Sequence, residues 1–537
     1  MEPLYIRGYK AICHQIQRIK EMFIFFHKTA AFYMILLEVA MLLIVYPKKS
    51  MAPYLDMLLI LIGMTILSYF LIKKNEGNTK ILNYTIVLVT IGVMLQSIFK
   101  QEIFLKNAEN IEGRVSMTSL QIQYILAFVL AVMAAGFYCS KWGKILAKDF
   151  MIRILFAVSM LFYIITLVMA KAVGGGVKNW IMIGGFSLQL SEVNKLLYIL
   201  VVVGILCSVK NPSKKRIATV FFVTFCHLLF LVAQGEFGTL FLIFVLFLVF
   251  LFLFVPDLRV FLATLISSVG VGGMIAFLGI ILKKMTQTSQ FLANLGIVRF
   301  YLRNFQKIQN RFLYFLNPSS DAGGSGYQLL KGRDAIMLGG WLGSDAITDL
   351  PVKTSDMVYP ALIERCGILI AILVFIIFVL LWLEGLKVFI TKKDRFHQGI
   401  CVGIISILFY QTLIIIGGSC GMCPLTGITL PFISSGGSSL VICFVMMALV
   451  IGISGNVAWK GEKNEEEAKK DFEFIKKDSN IAKRLSHLCN TYDINPRRDI
   501  SRAARNLSRS GSKKIKGGVE QIRKRIHKGI NSRQKRK

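Results

Sequence analysis

The sequence predicts an all-α polytopic membrane protein, a helical bundle of about twelve transmembrane helices. Three observations predict it. Hydrophobic residues make up 55% of the 537, charged residues only 17%, and the mean hydropathy is +0.61. Apolar runs of about 17–22 residues recur along the chain, close to the ~20 that a helix needs to cross a bilayer. Most of the cysteines stand inside those runs (Cys139, Cys207, Cys226, Cys401, Cys443), where they read as small hydrophobes rather than a disulfide framework. This composition excludes a disordered chain and an ordinary soluble protein.

Taken in order, residues 1–28 mix Tyr5, Ile6, Ile12, Ile16, Ile19 and Phe23 with Arg7, Lys10, Arg18 and Lys20, the pattern of an amphipathic helix on a membrane face. Twelve spans follow, at about 29–47, 54–72, 82–99, 119–139, 151–172, 192–208, 216–233, 238–255, 259–282, 361–386, 399–418 and 435–457. No cleavable signal precedes the first, so that helix is expected to direct insertion. Short loops on the side of the N-terminus carry 16 Lys/Arg, and the opposite loops 7. The positive-inside rule therefore puts both termini in the cytoplasm.

Two segments stand out. Residues 283–360 form a connection on the outer face far longer than a simple turn. Its Phe300, Tyr301, Phe305, Phe312, Tyr314 and Phe315 predict order against the membrane surface. The region 458–537 is a cytoplasmic tail in which residues 497–537 carry 16 Lys/Arg against 2 Asp/Glu. Val519, Ile522, Ile526 and Ile530 recur there at helical spacing among basic residues. Contact with anionic lipids of the inner leaflet is one reading and a solvated, unstructured tail another. Nucleic acid is not expected, because 497–537 lacks aromatic stacking residues.

Polar clusters interrupt the apolar pattern on the outer side only, which suggests one extracytoplasmic site assembled from several helix ends. Glu192 and Lys195 lie three apart and share a helix face. They are either a structural ion pair or, as ionisable groups in a span, functional. Glu236, between two strongly apolar runs, has the same two readings. His227, mid-helix, has no partner at metal-ligand spacing and reads as a core histidine. Ser434–Ser439, with Gly436, Gly437 and Ser438, opens the last span and is either a helix cap or a phosphate cradle. Cys420 and Cys423 form a lone C-x-x-C, read as structural or at most an occasional disulfide. Asp356 is either a cap or a base beside Lys353, and Arg303, Lys307 and Arg311 add positive charge upstream.

In this order the clusters resemble the SEDS family, the membrane glycosyltransferases of the RodA, FtsW and SpoVE lineage. Trp180, then Gly184 to Glu192 with Gln189, then Lys195, resemble the family's "RW…QPSE..K" segment. Gln234 to Thr239 resemble "QPDLGT". Arg311, Asn317–Pro318, Gly326–Tyr327–Gln328, Ala335–Ile336 and Gly339–Gly340 resemble "R…lnP…GyQ…AIgsGGl". Leu350–Pro351 to Asp356, with Glu364 beyond, resemble "LPe..tDF" and the glutamate of the next helix. Thr429 to Ser439 resemble "tLPliSyGGSS". Departures are Asn179 for the family's Arg, Leu190 for Pro, Glu236 for Asp, Met357 for Phe and Ser435 for Tyr.

The resemblance implies a ten-helix core over residues 81–457, so residues 29–80 hold two additional helices. It implies polymerisation of lipid II into glycan strands outside the membrane, by an inverting transfer that releases undecaprenyl pyrophosphate. Asp356 would be the catalytic base or acceptor-orienting group. Arg311, Lys195 and Lys353 would stabilise the pyrophosphate, with Glu192 orienting Lys195, and Glu236, Gly436, Gly437 and Ser438 would belong to the substrate site. Trp180, Gln189 and Glu364 would support it. No cofactor is implied with certainty, and a divalent cation at the pyrophosphate is left open. The implied partner is a class B penicillin-binding protein. A scaffold with little activity of its own and a lipid II flippase are alternatives. An unrelated transporter is disfavoured because no inverted repeat is evident.

Overall fold

In lipid every backbone amide must find its partner within the protein, so apolar runs of this length fold as helices. The computed structural model of the chain describes residues 34–36, 38–39, 52–75, 77–106, 112–173, 177–183, 186–209, 212–321, 325–346 and 348–455. Among them are eleven helices long and apolar enough to cross a membrane. The chain is a multi-pass membrane protein. The amphipathic segment 1–28, most of the span expected at 29–47 and the basic tail lie outside the described residues.

The helices are α1 (Ala52–Asn75), α2 (Thr79–Lys106), α3 (Glu112–Cys139), α4 (Asp149–Met169), α5 (Leu190–Cys207), α6 (Lys214–Gln234), α7 (Phe237–Phe254) and α8 (Leu258–Thr288). The short α9 (Gln290–Asn294), the amphipathic α10 (Gly296–Leu316) and α11 (Ser325–Gly339) follow. The bundle closes with α12 (Val358–Thr391), α13 (Arg395–Ser419) and α14 (Gly437–Ser454). Each expected span from 54 to 457 has its helix. The segment 283–360, expected to be ordered, is built largely of helices.

Three short strands were not anticipated: β1 (Lys171–Val173), β2 (Val177–Ile183) and β3 (Phe186–Leu188), an antiparallel sheet in the order β1-β2-β3. It pairs Lys171 with Trp180 and Ile181 with Leu188 and delivers the chain to the start of α5.

Helix α5 is the hub, with nearly every residue from Leu190 to Cys207 buried. Helices α2, α13 and α14 are also mostly buried, whereas α8 has Gly279 as its one buried residue. Close approach at the centre depends on Gly92 of α2. A Cβ there would lie 2.2 Å from the Phe432 carbonyl oxygen, so the chain leading into α14 presses directly on the α2 backbone. His227 accepts or donates at Ser159 Oγ (3.0 Å) and meets the Val223 carbonyl (2.8 Å), ringed by Tyr163 and Tyr198. It is a satisfied core histidine.

Candidate functional site

Three polar groups meet at one end of the bundle. In the first, the loop from Leu350 to Met357 brings Asp356 to the mouth of α12. Its turn is closed by Ser355 N and Met357 N donating to the Val352 carbonyl (3.0 and 3.2 Å). Val352 has φ 53, a costly conformation for a β-branched residue, of order 1–3 kcal/mol. Asp356 is half-buried beside Gly427, where a Cβ would stand 3.4 Å from Asp356 Oδ2. Arg311, at the end of α10, donates to the Thr426 carbonyl at 3.2 Å. Burial lifts the Asp356 carboxyl above the ordinary carboxylate range, against the opposing pull of the Ser355 hydrogen bond and the Arg311 charge. Arg303, Lys307 and Arg311 recur every four residues on α10, and burial together with the two arginines pulls the Lys307 ammonium down. Lys353 lies over the Phe99 ring at 5.5 Å.

A clamp holds the backbone just ahead of Asp356. Gln96 Nε2, from α2, donates to the carbonyls of Thr354 and Ile433, both at 2.9 Å. Ser434 Oγ donates to the Ser355 carbonyl (2.9 Å), and Ser435 reaches the Thr354 carbonyl with both N (2.8 Å) and Oγ (3.1 Å). Glu364 accepts from Thr348 N (2.6 Å) and Thr348 Oγ1 (2.5 Å), securing the other side of the loop.

The second group is sealed inside. Lys195 Nζ is 2.7 Å from Glu192 Oε2 and donates to Gln411 Oε1 at 2.9 Å, and its side chain is 2% exposed. Gln411 in turn donates to the Thr429 carbonyl (2.8 Å), and Thr429 Oγ1 pairs with Ser439 Oγ (2.7 Å). Lys195, expected at the pyrophosphate, lies within this buried network. Its contacts tie α5 to α13 and the Thr429 loop.

The third group surrounds Glu236, whose Oε1 accepts from Gln189 Nε2 (2.9 Å) and Ser191 Oγ (3.1 Å). Asn179 is buried near this carboxylate. Gln189 N donates to Ser438 Oγ (3.0 Å), which ties the group to the start of α14. Trp180 is half-buried beside Asn179 on β2.

Gly436, Gly437 and Ser438, which the sequence offers as a cap or a phosphate cradle, open α14 next to these bonds. The hydroxyls of Ser434, Ser435, Ser438 and Ser439 hydrogen-bond protein groups and link the loops that meet there. The residues that sequence reasoning missed are Gln96 and Gln411, whose signal was a single amide inside an otherwise apolar run, and the Thr426–Gly427 pair. Among the described residues no three His, Cys, Asp or Glu side chains gather where one metal ion would reach them.

Residues 78–458 match the family described as cell cycle protein, FtsW/RodA/SpoVE. The chain belongs to this family. It is 30% identical over 310 residues to stage V sporulation protein E of Bacillus subtilis (strain 168), covering 55% of this chain and 76% of that protein. It is 29% identical over 341 residues to a probable peptidoglycan glycosyltransferase FtsW of Aliivibrio salmonicida (61% and 77% covered). To the peptidoglycan glycosyltransferase RodA of Mycobacterium bovis it is 25% identical over 297 residues, spanning 52% of this chain and 58% of that one. A chain from a peptidoglycan synthase complex that coordinates polymerisation and crosslinking shares the fold. Its TM-score is 0.52 at 19% identity, with 70% of this chain and 97% of that chain covered. The FtsW/RodA/SpoVE match begins after α1, so that helix precedes the family region.

Proposed function

We propose that this protein is a peptidoglycan glycosyltransferase that polymerises lipid II at the outer face of the cytoplasmic membrane. The observation that carries the proposal is the half-buried Asp356 carboxylate, held by a dedicated clamp and facing a guanidinium. The acceptor sugar's 4-hydroxyl gives its proton to Asp356 as its oxygen bonds to the anomeric carbon of the donor. The bond from that carbon to the pyrophosphate oxygen breaks with inversion, and undecaprenyl pyrophosphate leaves. A carboxylate whose pKa is raised is a stronger base near neutral pH. Arg311, with Lys307 and Arg303 on the same helix and Lys353 nearby, balances the charge that develops on the leaving group.

Glu192, Lys195 and Gln411 act as positioning residues in this reading. Glu236 with Asn179, Gln189 and Ser191 shapes the wall next to the α14 start. Glu236, one of the departures, keeps two hydrogen-bond partners in Gln189 and Ser191, which supports an intact site over an eroded one. The basic short loops support placing both termini in the cytoplasm. A class B penicillin-binding protein, which would crosslink the new strands, is the proposed partner.

The test is purified full-length protein given lipid II, with and without that partner, beside an Asp356→Ala variant. Glycan polymer from wild type and none from a monodisperse variant is expected. Absence of polymer from wild type bound to its partner would favour a scaffold.

A further inference from the structure

Helix α12 is broken at Gly367, whose backbone (φ 85, ψ 166) leaves the helical region. A break inside a span strands the amides that follow, and lipid offers them nothing. Here the acceptors come from outside the helix. Ile368 N donates to the Gly340 carbonyl at 2.9 Å and Leu369 N to the Trp341 carbonyl at 3.4 Å, while Ser344 N donates to the Glu364 carbonyl at 2.8 Å. Only glycine fits the crossing, because a Cβ at Gly367 would lie 2.2 Å from the Trp341 oxygen. The turn after α11 is therefore strapped to α12 at a fixed level.

That level can be measured along the helix. Leu369 to Thr391 is about 33 Å at ~1.5 Å per residue, close to the ~30 Å of a hydrocarbon core. Lys387, Lys392 and Lys393 mark the far end. The break thus stands at the hydrocarbon boundary on the side of Asp356. At this height Trp341 is 67% exposed, Leu342 82% and Met337 76%. Leu369, Ile372, Leu373 and Ile376 of α12 are exposed as well, so the turn continues the apolar surface that runs down the span. Tryptophan favours this boundary, where an apolar ring meets polar headgroups.

We infer that the turn around Trp341 and Leu342 is a lipid anchor. The two side chains insert among the acyl chains of the leaflet facing the Asp356 site and cap the α12 break from the lipid side. The anchor fixes the height of the 344–356 loop above the hydrocarbon, and it does so whichever reaction the site performs.

The test compares tryptophan emission of the wild type with that of Trp341→Phe, both full-length in vesicles of phosphatidylcholine and phosphatidylglycerol. The difference isolates Trp341 among the five tryptophans. Bromines on the upper acyl carbons should quench that signal at least about twofold, more than bromines near the chain ends, as expected for an interfacial indole. Aqueous iodide should leave it nearly unchanged. Adding Leu342→Trp to the Trp341→Phe background should report the same depth. Quenching by iodide with brominated lipids inert would overturn the inference, and so would protection from both quenchers, which indicates a protein-covered surface.

Discussion

Gln96 reaches across 258 positions of chain to hold the Thr354 carbonyl at 2.9 Å, two residues ahead of Asp356. The same nitrogen holds Ile433, so one amide on α2 sets the spacing between the aspartate loop and the chain that enters α14. Replacing it removes a donor from the buried Ile433 carbonyl and one of three donors from the part-buried Thr354 carbonyl. Gln96→Leu should destabilise the protein by about 1–3 kcal/mol and lower kcat far more than it raises KM. Combined with Ser434→Ala, which cuts the neighbouring bond to Ser355, the losses should be less than additive. Steady-state polymerisation of the two single variants and the double variant checks this, and strict additivity would break the clamp into unrelated contacts.

Removing the carboxylate should stop the reaction. Asp356→Ala and Asp356→Asn are each expected to lower polymerisation by about 10²–10⁴-fold, the range for loss of a general base, while the protein stays monodisperse in detergent. Glycan chain formation on gels is the measurement. Full activity in either folded variant would exclude Asp356 as the base.

The acidic limb of the pH–rate profile should lie above the ordinary aspartate value of about 3.9, because burial raises the Asp356 pKa and only the ionised form accepts a proton. The Arg311 charge opposes that shift. Arg311→Gln should therefore move the limb to higher pH, besides weakening leaving-group stabilisation, whereas Arg311→Lys should move it less. A limb unmoved in Arg311→Gln would separate the two groups.

The sealed pair predicts an asymmetry in stability. Lys195→Met leaves Glu192 charged in a dry interior and should cost about 3–5 kcal/mol. Glu192→Gln together with Lys195→Met should recover part of that loss, since no unpaired charge remains. Thermal unfolding in a fixed detergent measures both. Equal destabilisation by the single and double variants would mean that the ion pair is not what holds α5.

The spans were legible because hydropathy acts over some twenty residues at once and lipid leaves the backbone one solution. Three-residue strands such as Lys171–Val173 carry no comparable signal, and their pairing depends on a turn that composition does not announce. In the site, Asp356, Arg311, Glu192 and Lys195 stood out as charges beside apolar runs. Spacing leaves Glu192 and Lys195 either an ion pair or functional, because it reveals a shared face but not depth. The serines were ambiguous for a related reason. A hydroxyl at a helix start serves a phosphate or a neighbouring carbonyl equally well, and the carbonyls of Thr354 and Ser355 lie some eighty positions away. Gln96 and Gln411 are polar singletons in apolar helices, and their partners exist only once the bundle is folded.

Helix α8 has a consequence for the opposite side of the site. It is exposed along nearly its whole length, yet α10 rests on it. The Phe305 ring fills the space over Gly279, Tyr301 donates to the Ile275 carbonyl, and Lys283 reaches Gln309. Arg311 stands at the far end of α10. The guanidinium near Asp356 thus sits on a helix that packs on the most exposed span and is itself held by the Thr426 carbonyl. The cation of the site is carried by a helix that leans on an exposed span, and the aspartate by a loop tied to buried helices.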